Sequence, residues 1–247
     1  MERTELNFFK IEKFDELEST NEYAKKCSAD GTVIVARSQT KGKGRLGRSW
    51  DNNPDEALTF SIFLKPDVSP EVTPMITLVS AMAVRAAVGD MAKIKWPNDV
   101  VINGKKVVGI LTEMAMEDNR IKYVITGIGV NVNVRTFAPE LKDKATSLYI
   151  ETGKKQDMDK LLSDILEHFK KYYDLFLKTC DMSLLMEEYN STLVNVNERV
   201  RIVAADGFSG IARGIDRMGE LVVEKENGEL VTVRSGEVSV RGIYGYV

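Results

Sequence analysis

Residues 58–65 read LTFSIFLK, with Phe60, Ile62 and Leu64 alternating against Thr59, Ser61 and Phe63. A period of two is strand periodicity, and apolar residues on both sides of the run mean that one or both faces are covered. Its position matters as much as its pattern. It follows TKGKGRLGRSW, residues 40–50, a loop with three glycines and four cations. Gly42, Gly47, Arg48 and Ser49 sit where a nucleotide-hydrolase phosphate loop, G-x-x-x-x-G-K-[ST], would have them, with arginine in place of lysine. That motif needs a helix directly after it, whose first N–H groups complete the phosphate cradle. A strand after the loop argues against that reading and turns the fold toward paired strands.

Upstream, TVIVARSQ reads as the strand that enters the loop. ESTNEYAKK reads as a helix start, with Ser19 as N-cap and Glu22 at the spacing of a capping box. Downstream, Pro70 and Pro74 introduce MITLVSAMAVRAAVGDM, a buried helix over about residues 71–91 that Arg85 and Asp90 interrupt short of the roughly 20 residues of a membrane span. AKIKWPNDVVI, KKVVGILTEMAM and IKYVITGIGVNVNV follow as three strand-like runs joined by NGKK and EDNR, and Asn103-Gly104 is a hairpin signal. They predict an antiparallel meander. Leu161, Leu162, Ile165, Leu166, Phe169, Tyr172, Tyr173, Phe176 and Leu177 then recur at helical spacing, one amphipathic helix from Asp157 to about residue 179. Beyond Tyr189, five short strand candidates predict a small β-barrel or sandwich, with the boundary between residues 190 and 197. The chain is expected to divide into residues 1–190 and 191–247, an α+β fold whose mixed, largely antiparallel sheet carries helices.

At 247 residues and a net charge of −3, the chain suits one large domain plus a small module. It has two cysteines, Cys27 and Cys180, at no metal-like spacing, and its first residues lack the basic-then-apolar pattern of a signal peptide. A cytoplasmic protein with no membrane contact is expected. The single histidine, His168, lies in the amphipathic helix beside Phe169 and reads as structural. Both charge signs are mixed along the chain, so the basic loop is a local feature.

Three readings of that loop stay open on residues alone. It is a solvated basic turn whose glycines supply positive φ, a single-strand nucleic-acid loop in which Trp50 stacks a base, or a wrap around one small phosphate ester. A pI near 5.5 and the lack of any other basic stripe count against the second. For the third, glycines admit close approach of backbone to ligand, and Arg45 and Arg48 supply charge-assisted contacts of roughly 1.5–3 kcal/mol each. An acyl-adenylate, one phosphate between an acyl tail and an adenine, fits that description.

GKGRLGRSW resembles the G-R-G-R-x-G-R-x-W loop of biotin protein ligases, and ESTN before it, KWPNDV after it, then KKVVGILTE and GIGVNVN arrive in that family's order. GIARGIDRMGELVVE and GEVSVR resemble the family's closing SH3-like module. The resemblance covers essentially the whole chain and implies a class II aminoacyl-tRNA synthetase-like catalytic domain over 1–190. It implies a reaction in which MgATP activates biotin to biotinyl-5′-AMP, with transfer to a lysine of a biotin carboxyl carrier protein domain. Cofactors would be ATP and Mg2+. Only 18 residues precede Ser19, too few for the winged-helix domain of the family's repressor members, so a monofunctional ligase without DNA binding is expected. Monomer and homodimer both remain open. A lipoate or octanoate ligase on the related fold is the nearest alternative among enzymes, and a nucleic-acid-binding module the alternative outside them.

The resemblance also implies roles. Ser19, Thr20, Asn21 and Gln39 would hold the ureido end of biotin, with Gly42, Gly44 and Gly109 admitting close approach; a cap for Ser19 and a strand bulge for Gly109 are the plain structural alternatives. Arg45, with Lys43 beside it, would hold the carboxylate and then the adenylate phosphate. Lys43 stands where the family has arginine, keeping the charge and losing the two-pronged fork. Lys106 would be the catalytic cation, with Lys105 pointing to the opposite face. Arg48, Trp50, Asn98 and Asn131 would form the adenine side. Trp96 would pack, Pro97 would aim Asn98 and Asp99, and Asp99 would either anchor a neighbour or help hold Mg2+. Neither half-reaction needs an enzyme nucleophile, so positioning and electrostatic stabilisation would supply the rate.

Overall fold

The structure, a computed structural model, describes residues 2–6, 8–50, 54–203, 207–235 and 239–242. Residues 51–53, after the loop, and 236–238, in the last motif, lie outside that set. The chain opens with strands β1 (Glu2–Leu6) and β2 (Phe9–Leu17), helix α1 (Thr20–Ala24) and strand β3 (Thr32–Gln39). Beyond the glycine-rich loop come β4 (Ala57–Leu64), a 3-10 turn at Pro70–Val72 and helix α2 (Met75–Val88). Strands β5 (Lys93–Lys95), β6 (Asp99–Ile102), β7 (Lys105–Glu117) and β8 (Arg120–Asn131) complete one sheet. Helices α3 (Leu148–Thr152), α4 (Met158–Thr179) and α5 (Met186–Thr192) lead to a second sheet of β9 (Arg199–Val203), β10 (Phe208–Ile215), β11 (Leu221–Glu224), β12 (Leu230–Val233) and β13 (Ser239–Gly242).

The first sheet has the order β1-β2-β3-β4-β8-β7-β6-β5 and is antiparallel except where β2 meets β3. That parallel pair is joined through α1, which therefore lies on one face of the sheet. Strand β4 is buried along its whole length. Its Leu58, Phe60, Ile62 and Leu64 join the main core, while Phe63 joins a smaller cluster with Ala24, Ile34 and Ile125 under α1. Thr59 and Ser61 share that second face and are buried too. Polar residues at every other place in a fully covered strand are what separates the two sides of the sheet: one side is core, the other contains a site.

On the core side α2 packs between the sheet and α4. Pro70–Val88 is 19 residues with mean hydropathy 1.4, long and apolar enough by composition alone to cross a membrane, yet Ile76, Val79, Ala81, Ala83 and Val84 are fully buried in the protein core. The α4 residues from Leu161 to Phe176 that share the helical spacing are buried as expected. Leu177 is not: it is 37% exposed, off the end of the apolar stripe. Asp157 caps α4 by accepting from the Asp159 and Lys160 N–H groups.

Three other expectations change. The capping box at α1 does not form: the Ser19 hydroxyl makes no cap bond, and the Glu22 carboxylate turns to Lys25 and Lys43. The run AKIKWPNDVVI is two paired strands, because Pro97 has no N–H for the ladder and the chain reverses through Trp96–Asn98. The buried helix is shorter than its apolar run, since its first turn winds as a separate 3-10 segment between Pro70 and Pro74.

The second sheet has the order β12-β11-β10-β9-β13 and is antiparallel throughout, with Val200, Ile202, Ala212, Leu221 and Val223 inward. It is the SH3-like module, and its apolar residues are continuous with the main core. Trp96 Nε1 donates to Gly219 O at 3.0 Å, and the Met182 N–H donates to Arg217 O at 2.8 Å. Gly219 sits at φ 73°, and a Cβ there would lie 2.6 Å from Leu78 Cδ1 on α2. Gly219→Ala should therefore lower stability by roughly 1–3 kcal/mol, left-handed strain and overpacking together. Gly228, at φ 81° with nothing nearby, isolates the strain. Urea midpoints check this: equal shifts for Gly219→Ala and Gly228→Ala would show that the α2 contact does not hold the module.

A candidate ligand cleft under the glycine-rich loop

The polar face of the sheet is floored with glycine. Gly109 on β7 pairs with Gly129 on β8, and Gly127 lies two residues before it. Their missing side chains are occupied space. A Cβ on Gly127 would sit 2.1 Å from Asn21 Oδ1, one on Gly129 2.3 Å from Trp50 Cε2, and one on Gly109 2.8 Å from Trp50 Cζ3. Close approach, not a bulge at the glycine, explains these positions. Above them lies a narrow cleft, largely filled by Trp50 and the Lys106 side chain.

One wall is α1. Gln39 Oε1 accepts from the Thr20 N–H at 2.7 Å and lies 3.1 Å from the Thr20 hydroxyl. The Ser61 hydroxyl donates to Asn21 Oδ1 at 2.6 Å and lies 2.7 Å from Thr20 Oγ1. Asn21 Nδ2 donates to Glu113 Oε2 at 2.7 Å and to Leu111 O at 3.3 Å. Ser19, Thr20 and Asn21 are each less than 5% exposed. Buried amides and hydroxyls need partners, and Thr20, Asn21, Gln39 and Ser61 find them in one connected set whose edge lines the cleft.

The opposite end is cationic. Lys106 Nζ lies 2.8 Å from Asp99 Oδ1 and 5.5 Å from the centre of the Trp50 ring. In a regular strand Lys106 and Gly109, three residues apart, would face opposite ways. A bulge corrects this: Val101 pairs with Lys106 and Val100 with Val108, so Val107 is the extra residue and Lys106 reaches the glycine face. Lys105 points away, with Nζ donating to Lys142 O. Lys106, next to the bulge, is held by a crossing segment, since its N–H donates to Lys144 O and the Thr146 N–H donates to Lys106 O, both at 2.8 Å.

Arg45 descends from the loop onto this end. Its guanidinium donates to Asn98 Oδ1 at 2.7 Å and to the carbonyl of Ser235 in the SH3-like module. Both acceptors are neutral, and among the described residues Arg45 forms no ion pair. Burial pushes its guanidinium below its ordinary value, Asp99 partly offsets this, and Arg48 adds to the lowering. A cation taken out of water without a counter-ion in contact is a site for an anion. Asn98 is itself fixed, Nδ2 donating to Ile110 O at 3.1 Å and to Asp99 Oδ1 at 3.2 Å.

The structure thus gathers Ser19, Thr20, Asn21, Gln39, Lys43, Gly44, Arg45, Trp50, Asn98, Lys106 and Gly109 around one cleft, with Asp99 bound to Lys106. Three sequence candidates stand apart. Arg48 is exposed, its backbone carbonyl accepting from the Gly44 N–H. Gly42 closes the base of the loop, its carbonyl accepting from Trp50 N–H at 3.0 Å. Asn131 is buried and donates to Thr146 O, pinning the crossing segment. Conversely Thr59, Ser61, Gly127 and Glu113 enter the site unforeseen. The Thr59 and Ser61 alternation was the available signal for two of them. A wider groove of about 920 Å3 adjoins the cleft and shares Arg45, Asn98, Ile110 and Leu111 with it.

Residues 14–131 match the biotin/lipoate A/B protein ligase family, and residues 196–241 match the biotin protein ligase C terminal domain. The chain is 41% identical over 218 residues to the bifunctional ligase/repressor BirA of Bacillus subtilis, covering 85% of this chain and 66% of that one. It therefore spans just under two thirds of the Bacillus relative's length. It is 30% identical over 229 residues to the biotin--[acetyl-CoA-carboxylase] ligase of Paracoccus denitrificans, covering 87% of this chain and 94% of that protein. Among solved structures, the biotin protein ligase from Aquifex aeolicus in complex with biotin and ATP superposes with a TM-score of 0.82 at 31% identity, over 94% of this chain and 98% of the other.

Proposed function

The chain belongs to the biotin protein ligase family, and we propose that it joins biotin to a lysine of a carboxylase's biotin-carrier domain by way of biotinyl-5′-AMP. The observation that carries this is Arg45, a half-buried guanidinium held by two neutral oxygens at the mouth of a cleft whose other end is a set of buried amides and hydroxyls. The carboxylate or phosphate of an acyl-adenylate supplies the anion that Arg45 lacks. The ureido ring supplies the donors and acceptors that Thr20, Asn21 and Gln39 present, with Ser19 beside them.

In the first step a biotin carboxylate oxygen attacks the α-phosphorus of ATP and pyrophosphate leaves. Lys106, beside Asp99 and above the glycine floor, stabilises charge developing on the phosphoryl oxygens. Mg2+, if carried by ATP, would add to the positive charge on the phosphates that Lys106 and Arg45 supply from the protein. Among the described residues no three His, Cys, Asp or Glu side chains cluster to hold a metal, and Asp99 is paired with Lys106 and accepts from Asn98. In the second step a lysine amine attacks the acyl carbon and AMP leaves. The adjoining groove, bounded by Arg45, Pro97 and Ser235, gives the amine its approach. Residues 1–190 then act as the catalytic unit and 191–247 as a module that braces Arg45 through Ser235. A reducing cytoplasm, where ATP and carboxylases meet, suits this chemistry.

Pyrophosphate release with MgATP, comparing biotin, lipoate and octanoate, with gel-shift of an apo carrier domain in parallel, tests the proposal. Release with biotin alone, accompanied by carrier labelling, is expected. Release with lipoate or octanoate in its place overturns the choice of acid, and no release with any acid overturns the function.

A further inference from the structure

The glycine-rich loop is a closed unit. Trp50 N–H donates to Gly42 O at 3.0 Å and Gly44 N–H to Arg48 O at 2.7 Å, with Lys43 and Ser49 bridged between them. Whatever holds one residue of this unit constrains Arg45, two residues on. At its root the Thr40 and Lys41 N–H groups donate to Leu17 O and Glu18 O. The root is therefore fixed by backbone, and the Glu18–Lys41 ion pair at 2.9 Å only duplicates that hold.

Farther out, besides the Arg45 bonds to Asn98 and Ser235, a second side-chain tether ties the loop to α1. The stem of Lys43 lines the cleft while its Nζ turns out to Glu22 Oε1 on α1, at 2.5 Å. Glu22 also meets Lys25 at 2.8 Å, Lys25 meets Glu113 at 3.2 Å, and Glu113 accepts from Asn21 on the cleft wall. Lys25 first and Lys43 second hold the Glu22 carboxyl below the usual carboxylate range. A chain of alternating charge thus runs from the loop, over α1, to the buried amides at the far end of the cleft. Lys43 is the position where the family loop has arginine, and a compact ammonium makes this single-point contact without needing a fork.

We propose that Glu22 is a positioning residue: through Lys43 it latches the glycine-rich loop over the cleft, anchored by Lys25 and Glu113 to Asn21, and so sets how long the adenylate is retained. This deepens the ligase function above and rests on it. Glu22 touches no reacting atom. Its members are a third to a half exposed, so added salt weakens the latch.

Two measurements on the full chain test it. The first, with no biotin or ATP present, is amide hydrogen exchange across residues 40–48. Glu22→Gln should speed exchange there while leaving α4 and the thermal midpoint unchanged, and Glu18→Gln should change none of the three. The second is the dissociation rate of biotinyl-5′-AMP at low and high salt. Glu22→Gln should raise it roughly two- to fivefold at low salt and flatten its salt dependence. Wild type should approach the variant as salt rises, and Lys43→Met should reproduce the loop exchange of Glu22→Gln. Wild-type loop exchange and a wild-type off-rate in Glu22→Gln overturn the latch. A chain that makes no adenylate overturns the ligase function instead, and the exchange experiment still decides the latch.

Discussion

Lys106→Ala should lower the rate of pyrophosphate release about 100- to 1,000-fold, the loss typical of removing one donor aimed at developing charge, while biotin affinity changes little. The expectation follows from geometry. Lys106 lies at the cationic end of the cleft, held by Asp99 at 2.8 Å and by the bulge at Val107 that turns it to the glycine face. The amides that would hold the ureido ring are at the other end and share no contact with it. Lys105→Ala is the internal control, since its Nζ turns away from the cleft to Lys142 O. Single-turnover adenylation in the two variants makes the comparison. Equal rates would move the catalytic charge elsewhere in the cleft, Arg45 first.

Arg45→Gly should have the second largest effect, and of a different kind. The guanidinium joins the loop, the Asn98 side chain and the Ser235 carbonyl, so its removal opens the cleft and also deletes the cation facing the phosphate. Charge-assisted hydrogen bonds contribute roughly 1.5–3 kcal/mol each, and the loss of one corresponds to a roughly 10- to 100-fold faster loss of biotinyl-5′-AMP. The released mixed anhydride would label lysines on any bystander protein. Western detection of biotin on serum albumin, beside a filter-binding off-rate, reads both effects. Wild-type retention and no bystander labelling would remove Arg45 from the role of anion holder.

Much of the frame was legible because periodicity is local. The alternation of LTFSIFLK, the stripe from Leu161 to Phe176 and the Asn103-Gly104 turn each follow from short-range sterics and partition. The resemblance gathered most of the site in advance. What stayed hidden depends on pairings between distant residues. The bulge that turns Lys106 inward is a property of β6 against β7, and no reading of KKVVGIL alone contains it. Arg45 meets Ser235 across 190 positions of sequence. Ser19 looked like a helix cap because its spacing to Glu22 is right, but Lys25 and Lys43 bind Glu22 instead. Arg48 and Asn131 belong to motifs that surround the cleft, and a motif does not say which of its side chains turn inward.

The two tryptophans differ in a way that makes the protein its own optical instrument. Trp96 is 3% exposed, with its indole N–H bonded to Gly219 O between core and module. Its emission should stay blue and constant through any event at the cleft. Trp50 lies on Gly109 and Gly129 below Lys106, and among the described residues its buried indole N–H has no partner. An arriving ligand must stack on that ring, displace it or accept from its N–H, and each alters the colour or yield of its light. Unlabelled protein excited at the red edge of tryptophan absorption should therefore report loop movement in real time, with Trp50→Phe as the dark reference.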